Sequence, residues 1–422
     1  MRATCLPRST TVVAAGVGVL GLASLGFLAV AGRALGPERF GALAIFWVVL
    51  HTLGAGLFLP LEQHVSRELA SDVGSGVDGR RVLRLAVTIA AVVVVALGVI
   101  TALGRNLVAD ALFGGNTSLV VALVAGTAAM AVSYVARGAF AGLGSWQRYG
   151  SHLAIDGLVR FAGACLLALA GADTASPYAF VVVLGLLAST AVTLPAATRP
   201  AAGGRPASWD AVGRTLAWLL VASLSGLLLL NAAPLAVQVL AGSDSTAADV
   251  GNFVAALTLA RIPLFLFSAV QASLLPALSQ HVGQGDGARF TSTLRGLSIG
   301  ILGLGAITGL AALAVGPAAL QVVFGPAFQV DRIDLGLLAL ATSGLMLVTT
   351  LGQALIALAR YRAAALAPLL GVAVFALGAT AVEGPLVRGV CVSLLLAVTV
   401  TILALTGQVR VAHRTWVAAH GN

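Results

Sequence analysis

Lysine is absent from this 422-residue chain, and charge of any kind is scarce. Only 9% of the residues are charged, against about 25% in ordinary globular domains. Without lysine, a Gly-rich phosphate loop of the Lys-bearing type is excluded. The three cysteines, Cys5, Cys165 and Cys391, lie far apart, which excludes a disulfide framework and a zinc-type spacing. No nucleophile elbow, no paired metal ligands and no Asp-x-Asp cluster suited to a nucleotide sugar occur. No catalytic residue, metal or bound cofactor is therefore expected, and the chain is not read as an enzyme. Polar segments are short, which leaves no room for a separate soluble domain.

What remains is 59% hydrophobic. A helix needs about 20 mostly apolar residues to cross the hydrocarbon core. Twelve stretches meet that need, roughly 11–32, 42–61, 83–104, 118–142, 152–171, 177–197, 215–241, 251–279, 296–324, 334–358, 363–382 and 387–407. The expected fold is an all-α integral membrane protein of about 12 transmembrane helices in two six-helix lobes. The first stretch follows Arg2 and Arg8 and ends Ala29-Val30-Ala31-Gly32, which looks like a cleavage site. It is longer than the apolar core of a signal peptide, so it is read as a span.

Orientation follows from arginine. With both termini cytoplasmic, Arg33, Arg39, Arg105, Arg332 and Arg388 fall outside and Arg160 and Arg261 fall deep within spans. Every other arginine falls inside, including Arg199 and Arg205. That bias places both ends in the cytoplasm and the protein in the cell membrane. It also accounts for most of the +9 net charge without nucleic acid. The longest outer loop, about Arg105 to Thr117, carries one Arg and one Asp, too little for an outer catalytic domain.

The chain repeats at a shift of 210 residues. Ala31-Gly32 falls on Ala241-Gly242, and the segment Gly32 to Gly41 matches Gly242 to Gly251 in length. With one residue inserted, Leu83-Arg84 falls on Leu294-Arg295 and Phe113-Gly114 on Phe324-Gly325. Six spans per unit leave both copies in the same orientation, a parallel repeat with a site expected at the interface near midplane. The lobes are read as 1–198 and 214–422, joined by a Pro- and Gly-rich cytoplasmic linker at 199–213. Gly138/Gly142, Gly296/Gly300 and Gly305/Gly309 have the spacing that lets helices approach closely. Pro234, near Asn231, and Pro263 and Pro276 interrupt spans, and the freed carbonyls need partners.

Several segments resemble the polysaccharide flippases, O-antigen and capsule (Wzx-like) type, of the multidrug/oligosaccharidyl-lipid/polysaccharide (MOP) exporter superfamily. They are Arg33-Ala-Leu-Gly-Pro-Glu-Arg-Phe-Gly41 with Arg67-Glu-Leu-Ala70, Arg137-Gly-Ala-Phe-Ala-Gly-Leu-Gly144 with Tyr149-Gly150, and Arg261-Ile-Pro-Leu-Phe265 with Leu274-Leu-Pro276. With the span layout, the resemblance covers nearly the whole chain. It implies two six-helix lobes around a central cavity. It also implies transfer of a lipid-linked oligosaccharide from the cytoplasmic to the outer leaflet by alternating access, with coupling to H+ or Na+. Expected partners are the polyprenyl-pyrophosphate-linked substrate and membrane lipid, with a polysaccharide polymerase and glycosyltransferases acting beside it. The chain departs from lysine-containing relatives, and it lacks the two extra spans of the peptidoglycan-precursor branch.

Site candidates come from charge at depth. Arg261 stands alone, with no other charged residue from Val250 to Ser279. Such a charge costs about 2.5–3.5 kcal/mol to insert. Its forked guanidinium suits a phosphate; the alternative is that it satisfies carbonyls freed by Pro263. His51 falls on Arg261 under the shift and is read as substrate contact, proton site or packing residue. Asp156 and Arg160 share a helix face, as an ion pair or as a coupling-ion and substrate site. Arg137 is read as an anion collector or a positive-inside anchor. Glu62, beside His64 and Arg67, is read as an interface anchor or coupling-ion site. Asn231 joins the substrate-binding candidates. Competing readings are an ion-coupled multidrug exporter, a membrane polysaccharide polymerase and a non-transporting scaffold.

Overall fold

The computed structural model describes residues 8–75, 79–194, 209–240, 247–381 and 385–420. The expectations resting on Arg2, Cys5, Arg199, Arg205, Ala241, Gly242 and most of the linker at 199–213 lie outside them. The described residues form helices and no strand. These are α1 (Arg8–Ser75), α2 (Gly79–Leu103), α3 (Arg105–Phe113), α4 (Thr117–Gly142), α5 (Trp146–Leu169), α6 (Ala175–Thr193) and α7 (Trp209–Leu240). They continue as α8 (Ala247–Ala260), α9 (Ile262–Gly283), α10 (Gly287–Phe324), α11 (Arg332–Ala357), α12 (Tyr361–Ala381) and α13 (Leu386–His420).

Among the described residues, 10 helices are long and apolar enough to cross a membrane. The stretches 11–32 and 42–61 both fall in α1, whose backbone breaks at Gly36 (φ 68°, ψ 168°). Pro37 follows, and a residue before proline avoids the helical region; glycine alone takes this positive φ without strain. The stretch 251–279 falls on α8 and α9, which meet at Arg261. The supposed outer loop after Arg105 is the helix α3, closed by Gly114 in the left-handed region.

The chain divides into two compact units. The first holds residues 1–35 and 42–216, the second 36–41 and 217–422. In the first, α4 is the most buried span, and in the second α11, its counterpart under the repeat. Both are 26 residues long and both start at an Asx cap. Asn116 accepts from the amides of Ser118 and Leu119, and Asp331 from that of Ile333. Such caps satisfy amides that a helix leaves unpaired at its start. The Phe-Gly pairs end α3 at Phe113 and α10 at Phe324. Segment 36–41 belongs to the second unit because Phe40 packs on Phe324 and Phe328. There Phe267, Ile301, Met346 and Leu347 join α9, α10 and α11 in one core cluster.

Two of the three glycine pairs pack as their spacing suggests. A Cβ on Gly138 would lie 2.8 Å from the Glu62 carbonyl oxygen, and one on Gly142 2.7 Å from that of Ser66. Gly305 meets the Ser343 side chain at 2.7 Å and Gly309 the end of the Leu340 side chain at 3.3 Å. Gly296 and Gly300 face open space, so their spacing reflects glycine abundance and not packing. Gly138→Ala and Gly142→Ala should each lower the melting temperature, at an overpacking cost of about 1–3 kcal/mol. Gly300→Ala should leave it unchanged or raise it. Thermal unfolding of the three purified variants, followed by tryptophan fluorescence, checks this.

Candidate functional site

In the first unit, polar residues line the inner face of α5. His152, Asp156 and Arg160 are four residues apart and all buried. That spacing puts them on one stripe of a helix. Arg160 Nη2 donates to Asp156 Oδ2 at 2.6 Å. Gly185 of α6 makes room for the pair, since a Cβ there would lie 2.8 Å from Asp156 Oδ1. His152 bonds Ser133 of α4 at 2.8 Å and Thr193 of α6 at 3.0 Å. Asp156 and Arg160 are thus bound to each other first.

Glu62 lies inside the first unit. It is buried, and its carboxylate meets Arg137 Nη2 at 3.0 Å. The Tyr149 hydroxyl donates to Glu62 at 2.8 Å and accepts from Arg137 at 3.1 Å. The Arg137 guanidinium also lies over the Tyr134 ring, 4.4 Å from its centre. This cluster joins α1, α4 and α5. Glu62 and Arg137 thus form an internal ion pair. Side chains hold this pair because a buried carboxylate and guanidinium are stable only together.

His51 stacks on Trp47 at 4.1 Å between ring centres, and its Nδ1 lies 2.9 Å from the Trp47 carbonyl. Phe27 stacks on the same indole at 5.5 Å, and Arg160 lies 5.5 Å from its centre. Trp47 thus gathers His51 and Arg160 around one ring. The sequence reading missed Trp47 and His152. The i, i+4 spacings Trp47–His51 and His152–Asp156–Arg160 were the signal that could have found them.

In the second unit, α8 stops at Ala260 because Pro263, in the first turn of α9, has no amide hydrogen to continue the ladder. Arg261 sits in the break. Its side chain does not serve carbonyls beside Pro263. It reaches α7, where Nη1 donates to Asn231 Oδ1 at 3.0 Å and Nη2 donates to the Leu230 carbonyl. Leu230 lies four residues before Pro234, so its carbonyl is the one that Pro234 leaves without an amide partner. The arginine of one broken helix thus fills the gap in another.

Arg261 has no carboxylate within ion-pair distance among the described residues, and its buried Nε has no hydrogen-bond partner there. The sequence explains why. Helices α9, α10, α12 and α13 contain no Asp or Glu. In α11 the one acid is Asp334, held by Arg388 of α13. The acids of the first unit face opposite conditions, Glu62 and Asp156 each meeting an arginine. No cluster of His, Cys, Asp and Glu able to hold a metal occurs among the described residues.

No protein-family profile matches this chain. It is 29% identical to an uncharacterised protein of Mycobacterium tuberculosis over 345 residues, 79% of this chain and 76% of that protein. It is 28% identical to an uncharacterised protein of Mycobacterium bovis over 361 residues, 82% and 79% of the two chains. Among solved structures it resembles a mutant of the Vibrio cholerae MATE transporter VcmN, with TM-score 0.68 and 15% identity over 98% of this chain and 99% of that one. It also resembles a multidrug resistance MATE family transporter of the MOP superfamily in its inward-facing conformation. That match has TM-score 0.69 and 14% identity over 94% and 96% of the chains. The outward-facing conformation matches with TM-score 0.68 over 97% and 95%. The chain is a multi-pass membrane protein with the two-lobed, all-helical fold of the MATE transporters of the MOP superfamily.

Proposed function

We propose that this protein is an alternating-access transporter that carries a polyprenyl-pyrophosphate-linked oligosaccharide from the cytoplasmic to the outer leaflet of the cell membrane. The carrying observation is Arg261, a guanidinium at depth with no carboxylate against it. A cation in that position is costly and marks a substrate or ion pathway. An anionic headgroup supplies the missing counter-charge, and a pyrophosphate accepts the parallel bonds that a guanidinium offers. Asn231 holds the guanidinium beside α7 and would contribute an amide to the same headgroup. An anion competing for Nη2 would release the Leu230 carbonyl and unsettle α7 at Pro234, which couples binding to helix bending. His51, Arg160 and Arg137 of the first unit are secondary contacts in this reading, because each already has a partner.

Coupling to H+ or Na+ belongs to Glu62 or Asp156, the buried acids of the first unit, through exchange of an arginine for the ion. Both termini lie in the cytoplasm, and the substrate arrives from glycosyltransferases and leaves to a polymerase.

Arg261→Ala should abolish flipping of a fluorescent polyprenyl-pyrophosphate oligosaccharide in proteoliposomes. The same change strands the Leu230 carbonyl at a cost of about 1–3 kcal/mol, so a companion variant is needed. Pro234→Ala gives that carbonyl a backbone partner again. The double variant should regain stability and remain inactive. Flipping restored in the double variant would reduce Arg261 to a structural brace and defeat the proposal.

The likeness to multidrug transporters favours a second reading, ion-coupled export of cationic compounds. That reading requires an acid available to a cation, and Asp156 is bound to Arg160. Asp156→Asn alone should destabilise by about 3–5 kcal/mol, because it strands a buried guanidinium. Asp156→Leu combined with Arg160→Met should regain most of that loss. Ethidium efflux from inverted vesicles should not depend on either change. Efflux lost in the stable double variant would favour the multidrug reading.

A further inference from the structure

Helices α10 and α13 are 38 and 35 residues long, well beyond the roughly 20 that span the hydrocarbon core. Their apolar stretches begin near 296 and end near 407, so residues 287–295 of α10 and 408–420 of α13 extend past the core at one end of the second unit. Between these extensions lies a cavity of about 620 Å³, within the range of about 300–1,000 Å³ typical of small-ligand sites. Its polar lining is Arg295, Thr291 and Ser292 from α10 and His413 from α13, with Trp416 beside them.

The lining is held in place. His413 stacks on Phe290 at 5.4 Å with a 13° angle between rings. Its Nε2 lies 3.4 Å from the Thr291 hydroxyl, and Trp416 lies 6.0 Å from its ring. Gly287 permits this approach, because a Cβ there would lie 3.1 Å from His413 Nε2 and 3.3 Å from Trp416. The two arginines of the α10 extension differ. Arg289 is tied to Asp286 at 3.3 Å. Arg295, which lines the cavity, has no ion pair or side-chain hydrogen bond among the described residues. A guanidinium and an imidazole converge there as phosphate ligands, beside the Thr291 and Ser292 hydroxyls, which donate to the Gly287 and Arg289 carbonyls. Trp416 packs against Gly287 and closes the outer end of the cavity.

We infer that this cavity is a binding site for the phosphate of an anionic membrane lipid, separate from the transported substrate. Arg295 is the principal ligand, His413 bonds a second phosphate oxygen, the Thr291 and Ser292 hydroxyls turn to it from the backbone carbonyls they now serve, and Trp416 closes the outer side of the cavity. A lipid phosphate fits better than a free one because the site sits at headgroup level and its remaining lining is apolar. A lipid seated there would tie α10 to α13 outside the hydrocarbon core.

Native mass spectrometry of the full-length protein in detergent tests this, with dioleoyl-phosphatidylglycerol or dioleoyl-phosphatidylcholine added. The wild-type protein should retain phosphatidylglycerol in preference to phosphatidylcholine. Arg295→Gln, at an exposed position, should weaken that retention about fivefold, the contribution of one basic residue at an anionic surface. Gly287→Leu keeps the charge but drives the two helices apart, and should weaken it as well. Inorganic phosphate should not displace the lipid. Equal retention of both lipids, or undiminished phosphatidylglycerol retention by both variants, overturns the site. Displacement by inorganic phosphate overturns its assignment to lipid. Flipping of the oligosaccharide substrate by Arg295→Gln, measured in phosphatidylcholine liposomes, should match wild type, which separates this outcome from the fate of Arg261.

Discussion

The Leu230 carbonyl has no amide to receive, because Pro234 occupies the position that would supply one. At bilayer depth water cannot make good the loss, so the donor must come from the protein. It comes from Arg261, across the gap between two interrupted helices. This single bond ties α7 at Pro234 to the break between α8 and α9. It also fixes where a guanidinium stands in the second unit. Remove the proline and the arginine loses its structural task. Remove the arginine and the helix keeps an orphan acceptor.

The first unit answers the same constraint in another way. Its buried charges come as opposites, Glu62 with Arg137 and Asp156 with Arg160. Tyr149, His152, Ser133 and Thr193 take up further hydrogen-bonding capacity around them. Breaking one such pair strands a charge, so both members are held together by energetic need. Helices α4 and α11 share their length and an Asx cap, and α3 and α10 both end at a Phe-Gly pair, as a repeat would leave them. The units differ in charge because α9, α10, α12 and α13 of the second carry no acid.

Much of this was legible in the sequence. Apolar runs and glycine-terminated segments placed the helices, since length and hydropathy alone decide what can cross a bilayer. The lone Arg261 stood out for the same reason. The sequence did not say where its side chain would go. Pro263, two residues away, was the nearer proline, yet the carbonyl it serves lies near Pro234, about 30 positions earlier in the chain. Partnerships of that kind depend on which helices pack together, and periodicity carries no such information. For Glu62 the partner was hidden in the same manner. Its place at a span end suggested an anchor, while Arg137, on a helix far along the chain, drew it inside. Trp47 was overlooked because an aromatic in an apolar run carries no charge signal.

The asymmetry between the units bears on what the protein moves. A carrier of cations needs a carboxylate able to leave its partner for the substrate. Here each buried acid of the first unit would have to abandon an arginine, exposing two charges for every contact made. A carrier of anions needs the reverse, a cation whose bonds are to neutral groups and can be surrendered. Arg261 meets that condition, for its partners are an amide oxygen and a carbonyl. Exchanging them for a phosphate trades neutral acceptors for charged ones, and charge-assisted bonds are roughly twice as strong. The released carbonyl would then lack a donor at Pro234. In the proposed reading, substrate and helix compete for one guanidinium, which would give binding a direct route to α7.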